Sequence, residues 1–279
     1  MIVKVLLVSL LLAQTAPPAP APIEDTQTWR EKREAELKAD RGWLSVSGLP
    51  WLKEGETTIG SGEENAVRLA DGPKTWGAIV RTENKVALRP VDGPERAFLV
   101  TDPPFQIGRT WIQLIKRGDR VGLRLWDPQN ARKIAFSGLK WFEIKPAYRI
   151  RGRLVPAATP STVKIANVIG QVNDFPSPGV VEFELNGKKL QLTPVFETAA
   201  KDELFYIFKD ATSAKTTYGA GRFVYSGLPD ANGEVVLDFN RAYSPPCAFT
   251  DFATCPLPPA QNRLNVAIEA GEKDPHSAH

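Results

Sequence analysis

The sequence predicts a mainly β protein: two packed β-sandwich- or barrel-like units carrying one N-terminal helix. Three observations predict it. First, from Gly42 onward short segments rich in Val, Ile, Trp and Phe alternate apolar and polar residues, as in "WGAIVRTENKVALRPV" and "WIQLIKRGDRVGLRLWD". That period of two belongs to half-buried strands. Second, Gly, Pro, Asn and Asp punctuate these segments at the spacing of turns. Third, a single stretch, "EDTQTWREKREAELKAD" (24–40), carries a helical period.

The chain opens on "MIVKVLLVSLLLAQTAPPAPAP". One Lys precedes an apolar run, Val5 to Ala13, which is too short to span a bilayer and fits the core of a secretory signal peptide. Residues 1–22 are therefore expected to be a signal peptide followed by a Pro/Ala-rich tether, and the protein to be exported, periplasmic or secreted. No Cys lies in this stretch, so lipid attachment there is not expected. Residues 23–41 form the helix. Trp29, Arg33 and Leu37 fall on one narrow stripe, and Asp25 or Thr26 caps its start. Such a helix straps onto the outside of a β-domain.

Residues 42–155 make the first β-unit, with hairpin turns expected at 82–85 and 117–120. "VPAATPST" (155–162) reads as a linker or crossover. Residues 160–273 make the second unit, with an Asn-Gly hairpin turn in "LNGKKL". Residues 274–279 are a mobile tail.

Charge and residue inventory exclude several functions. The chain has 279 residues and a net charge of +3, from 35 basic and 32 acidic residues interspersed without a basic block. Nucleic acid is therefore not an expected partner. No further run is long enough for a membrane helix. The two histidines, His276 and His279, both sit in the tail, which leaves no basis for a Ser-His-Asp or Cys-His site or a His/Cys zinc site. No Gly-rich loop joins a strand to a helix, so no nucleotide cradle is present. No metal and no cofactor are expected. The remaining tools are carboxylates, Arg, Lys, Tyr, Asn and Cys.

These tools concentrate near the C-terminus. "TTYGAGRFVYSGLPDANGEVVLDFN" folds on paper as a hairpin centred near Asp230. In that register Arg222 meets Asp238, Ala220 meets Asn240, and Tyr218 lies just beyond. The face is either the floor of a polar pocket or a fixed structural ion pair. Pro245 and Pro246 then stop the strand. Cys247 and Cys255, eight positions apart, suit a disulfide in an exported protein, with buried free thiols or a reactive thiol as the alternatives. The chain beyond is long enough to return Asn262, Arg263 and Glu272 to the rim.

"DFNRAYSPPCAF", "TCPLPP", "NRL" and "AGEK", together with "GLPWLKEGETTIGS", "RVGLRLWDP", "FSGLKWFEIKPAYRI" and "TTYGAGRF", resemble the family known as domain of unknown function 1684. The likeness spans nearly the whole chain beyond the leader and implies a bacterial, β-rich protein. Ser244 stands where the pattern has Asn, and Gln261 where it has Glu. A second, local likeness links residues 55–70, "GETTIGSGEENAVRL", to the opening of a forkhead-associated domain and implies a sandwich. Ser61 there replaces the Arg that follows "IG" in that domain.

Two functions fit. One is a cofactor-independent hydrolase, with Asp238 or Glu272 as general acid/base, Arg222 holding an anion, and Tyr218, Asn240, Asn262 and Arg263 binding substrate. The other is a non-catalytic envelope module that binds a small polar ligand. The sequence sets no oligomeric state.

Overall fold

The computed structural model describes residues 23–83 and 85–276. The expected signal peptide and the last three residues of the tail lie outside them. Helix α1 (Ile23–Lys38) comes first. It buries Thr26, Arg30, Arg33 and Leu37, so its inward stripe is half cationic.

Nine strands follow. They are β1 (Val46–Gly48), β2 (Gly55–Gly60), β3 (Val67–Arg68), β4 (Gly77–Thr82), β5 (Lys85–Pro90), β6 (Arg96–Ala97), β7 (Phe105–Ile107), β8 (Thr110–Arg117) and β9 (Arg120–Trp126). They form two sheets, in the orders β3-β2-β4-β5-β6 and β1-β9-β8-β7. The two inner faces share one core, in which Ile59, Ile79 and Leu88 from the first sheet meet Ile112, Leu123 and Leu125 from the second. Alternating apolar residues on both sheets make this sandwich, because each sheet has one face to hide. Both expected turns appear: Thr82 pairs with Lys85, and Arg117 with Arg120.

After a short helix α2 (Ala131–Ile134), capped by the Asn130 side chain, the chain enters the second β-unit. Its strands are β10 (Arg149–Ala166), β11 (Val172–Leu185), β12 (Lys188–Leu192), β13 (Glu203–Phe208), β14 (Arg222–Gly227) and β15 (Glu234–Asp238). One sheet has the order β12-β11-β10-β15, and β13-β14 is a separate ribbon packed on it. The β11–β12 hairpin turns at Asn186 and Gly187, with φ of 53° and 72°, as an Asn-Gly turn requires. Residues 155–162 are not a linker. They lie inside β10, at an irregularity between Pro156 and Ser161 where the register to β11 shifts. Pro156 and Pro160 give up ladder donors there, and the bulge accommodates the loss.

The hairpin expected at 218–240 does not form. β14 pairs with β13, setting Phe208 opposite Arg222, while β15 pairs with β10, setting Arg149 opposite Asp238. The intervening loop is long enough to cross from ribbon to sheet. Asp230 folds it locally by accepting the backbone N–H groups of Asn232 and Glu234 at 2.8 Å each. Residues 239–273 then wrap the second unit without strands, and Phe239, Ala242, Leu264, Val266, Ile268 and Ala270 complete its core. Among the described residues, no helix is long and apolar enough to cross a membrane.

Candidate functional site

The residues that sequence reasoning assembled around one cavity occupy four places. Arg222 is 1% exposed and donates to the carbonyls of Ile268, at 2.9 Å, and Ala270. Its carboxylate partner is Asp210, at 3.3 Å, not Asp238. Asp210 in turn accepts the Ile268 N–H at 2.6 Å and the Thr212 hydroxyl at 2.8 Å. This buried knot ties the C-terminal wrap to the turn after β13. The predicted Arg222–Asp238 pair fails because the two strands never share a ladder.

Asp238 instead accepts the backbone N–H and side-chain amide of Asn240, at 3.0 and 2.9 Å. The Asn240 amide also exchanges two 3.0 Å hydrogen bonds with the backbone of Lys145, as a strand neighbour would. The Asn262 amide does the same for Thr193, at 2.8 and 2.9 Å, and donates to Ile207 O at 3.0 Å. Arg263 beside it is exposed. Tyr218 donates its hydroxyl to Cys247 O at 3.0 Å. Asn240 and Asn262 thus substitute for missing strand partners in the wrap.

Glu272 is fully buried, and neither carboxylate oxygen accepts a hydrogen bond by ordinary geometry. Burial pushes its carboxyl up to about 7. Arg33, 3.7 Å away, the Ser244 hydroxyl and N–H, and Arg222 pull the other way without cancelling that cost. Arg33 also donates to Ser244 O at 3.0 Å and lies over the Tyr243 ring at 4.6 Å. Arg30 donates to Phe142 O and Asn240 O, at 3.0 and 3.2 Å. Sequence reasoning placed Arg33 on the inward stripe but missed Arg30. The signal available was two arginines at i and i+3 beside the only apolar stripe.

The expected disulfide is not formed. Cys247 and Cys255 are free thiols. Cys255 Sγ accepts the Cys247 backbone N–H at 3.1 Å, which seats it against the main chain of Cys247 and short of bonding to its sulfur.

A cleft of about 390 Å³ opens between the two β-units, near Cys255 but away from the buried amides. Trp43, Arg117 and Arg124 line it from the first unit, and Phe175, Phe205, Glu197 and Cys255 from the second. Arg124 lies on β9 with its guanidinium 4.8 Å from the Trp43 ring centre. Its Nε is buried without a hydrogen-bond acceptor. Burial first, and then like-charged Arg117, lower its pKa to about 10. Arg117 is anchored by Nε donation to the Thr254 hydroxyl at 3.2 Å. Phe175, Phe205 and Phe223 give the cleft apolar walls. Glu197, on the rim, is engaged by the Tyr225 hydroxyl. Arg124 over the Trp43 ring, with Arg117 beside it and neither in an ion pair among the described residues, is equipped to take up an anion with an apolar body.

The family described as "Protein of unknown function (DUF1684)" matches residues 134–273. The chain belongs to this family. The match takes in the second β-unit and begins after the first, so "GLPWLKEGETTIGS" and "RVGLRLWDP" lie outside it. The DUF1684 chain is also similar to an uncharacterised protein of Haloarcula marismortui solved by solution NMR. The two are 30% identical, over 52% of this chain and 81% of that one, with a TM-score of 0.44. No curated protein matches the chain.

Proposed function

We propose that this DUF1684 protein is an exported, non-catalytic binding module whose ligand is a small organic anion with a flat apolar body. The cleft between the β-units is the site. The observation that carries the reading is Arg124: a guanidinium sandwiched on Trp43, short of an acidic partner, and repelled by Arg117. A bound carboxylate would supply the missing acceptor, and Phe175 and Phe205 would cover the rest of the ligand. Export is supported by the charge and apolar run of residues 1–13.

The hydrolase reading has less support. Asp238, Asn240, Asn262 and Arg222 already spend their hydrogen bonds on the chain itself, and Glu272, the other acid/base candidate, is fully buried. A general base needs an open route to a substrate proton.

Calorimetric titration with benzoate, indole-3-acetate and the corresponding neutral amides tests the proposal. The carboxylates should bind and the amides should not. Arg124→Met should weaken carboxylate binding on the order of ten-fold or more, the value of one charge-assisted contact. Equal binding of acids and amides, or an unaffected Arg124→Met, would sink it.

A further inference from the structure

The two thiols share a wall between two clefts, and their positions differ. Cys247 is half-buried and lines a second cleft of about 470 Å³, together with Arg132, Lys140, Asp251 and His276. Cys255 is buried behind it, 4% exposed, and lines the anion cleft. Only the short turn at Pro246–Ala248 and the loop after it separate them in sequence. Cys255 Sγ accepts the Cys247 backbone N–H at 3.1 Å, and the nearby Cys255 thiol, with Tyr218, pulls the Cys247 thiol down to about 7. The Cys247 thiol and burial in turn push Cys255 up. One accessible thiol held near its thiolate form, with a second buried directly behind it, is the arrangement that exchange chemistry uses for an attacking and a resolving cysteine.

We propose that Cys247 and Cys255 are a redox-active pair that exchanges with small anionic disulfides entering the Cys247 cleft. Arg132 and Lys140 against Asp251 leave that cleft one net positive charge. In the first step the Cys247 thiolate attacks one sulfur of the disulfide R–S–S–R. A Cys247–S–S–R bond forms and R–S⁻ leaves. In the second step Cys255 gives up its proton and attacks the Cys247 sulfur, forming the intramolecular disulfide and expelling the second sulfur, which takes that proton and leaves as R–SH. Counted from the Cys247 thiolate and the Cys255 thiol, the chain loses two electrons and one proton, and the small disulfide is reduced to one R–S⁻ and one R–SH. The short loop from 247 to 255 allows the bond after a local movement, since Cys255 Sγ already lies 3.1 Å from the Cys247 backbone nitrogen.

The full-length reduced protein, treated with excess dinitrobenzoate disulfide, tests this directly. Wild type should release two thiolates per chain and keep no adduct. Cys255→Ser should release one and retain one adduct on Cys247. Cys247→Ser should react on the order of ten-fold more slowly. Limiting iodoacetamide on wild type reads the same order without any substitution: Cys247 should be alkylated first, at a rate that rises with pH through about 7. Tyr218, Arg132, Lys140, Asp251 and His276 face this thiol, and Arg124 faces Cys255, so the profile reports the pair in its surroundings. Adducts kept on both cysteines of wild type, first alkylation at Cys255, or no reaction until denaturant is added would each overturn the proposal.

Discussion

At the scale of single residues, Glu272 is the group most at odds with its surroundings. It is sealed from water beside a serine where the family pattern has asparagine, and its carboxyl sits at about 7 instead of its ordinary 4.5. A carboxyl raised on folding binds its proton more tightly in the native state. The folded state is therefore favoured below pH 4.5, loses that advantage as pH rises to about 7, and is level beyond. The shift corresponds to about 3 kcal/mol. Glu272→Gln keeps the shape of the protonated form. Its stability minus that of wild type, measured by urea unfolding, should climb by about this amount between pH 4.5 and 7 and then stay constant. A difference that does not change with pH would mean that Glu272 is ionised without cost. The sequence placed Glu272 near Arg222, and the two do interact electrostatically. It could not reveal Asp210, since nothing local links a turn after β13 to the backbone N–H of residue 268.

Elements were legible where the signal is local, and opaque where it is not. The α1 period, the β8–β9 turn and the Asn186–Gly187 turn each depend on neighbours in the chain, and each appears as read. The partner of β14 depends on which of two apolar strands the loop delivers, and alternation is blind to that choice. Gly221 shows what holds the observed pairing. Its φ is +105°, and a Cβ there would lie 2.5 Å from Phe208 O and 2.6 Å from Pro258 Cγ. The close approach lets Arg222 enter the core beside β13. Gly221→Ala combines a left-handed strain with a clash against main chain, and should cost about 3 kcal/mol or more. A melting temperature equal to wild type would show that β14 does not need this approach.

At the scale of the molecule, the family match and the sheet system coincide: residues 134–273 contain the second unit, and the first sandwich lies ahead of the matched residues. The helix that precedes both units packs on the wrap, with Leu37 against Ala248 and Phe249. The signal peptide expected in front of that helix leads to a cellular prediction. Residues 1–22 fused to a reporter phosphatase that is active only outside the cytoplasm should give a positive colony. Replacing Leu6 and Leu7 by Arg should abolish the colour, because a charged core cannot engage the export machinery. A reporter that stays silent with the native leader would place the protein inside the cell. The sequence indicated the architecture. It withheld the cleft, because Trp43, Arg124, Phe175 and Cys255 come from four separate parts of the chain and meet only when the units dock.

The β10–β11 ribbon gives that docking a mechanical character. Its register slips once, between Pro156 and Ser161, opposite Gly179 with φ of +146°. Beyond the slip the two strands run on to a tip where Gln171 donates to Arg117 O at 3.0 Å, and where the Val168 N–H reaches Cys255 O, also at 3.0 Å. The ribbon is a cantilever, rooted in one sheet, creased near its middle and pinned at its free end to the other unit and to the cysteine loop. Phe175 and Ile165 ride on the outer arm. Flexing at the crease would change the width of the cleft, and would carry with it the small core in which Val163 and Ile165 of the outer arm meet Phe205 and Phe223.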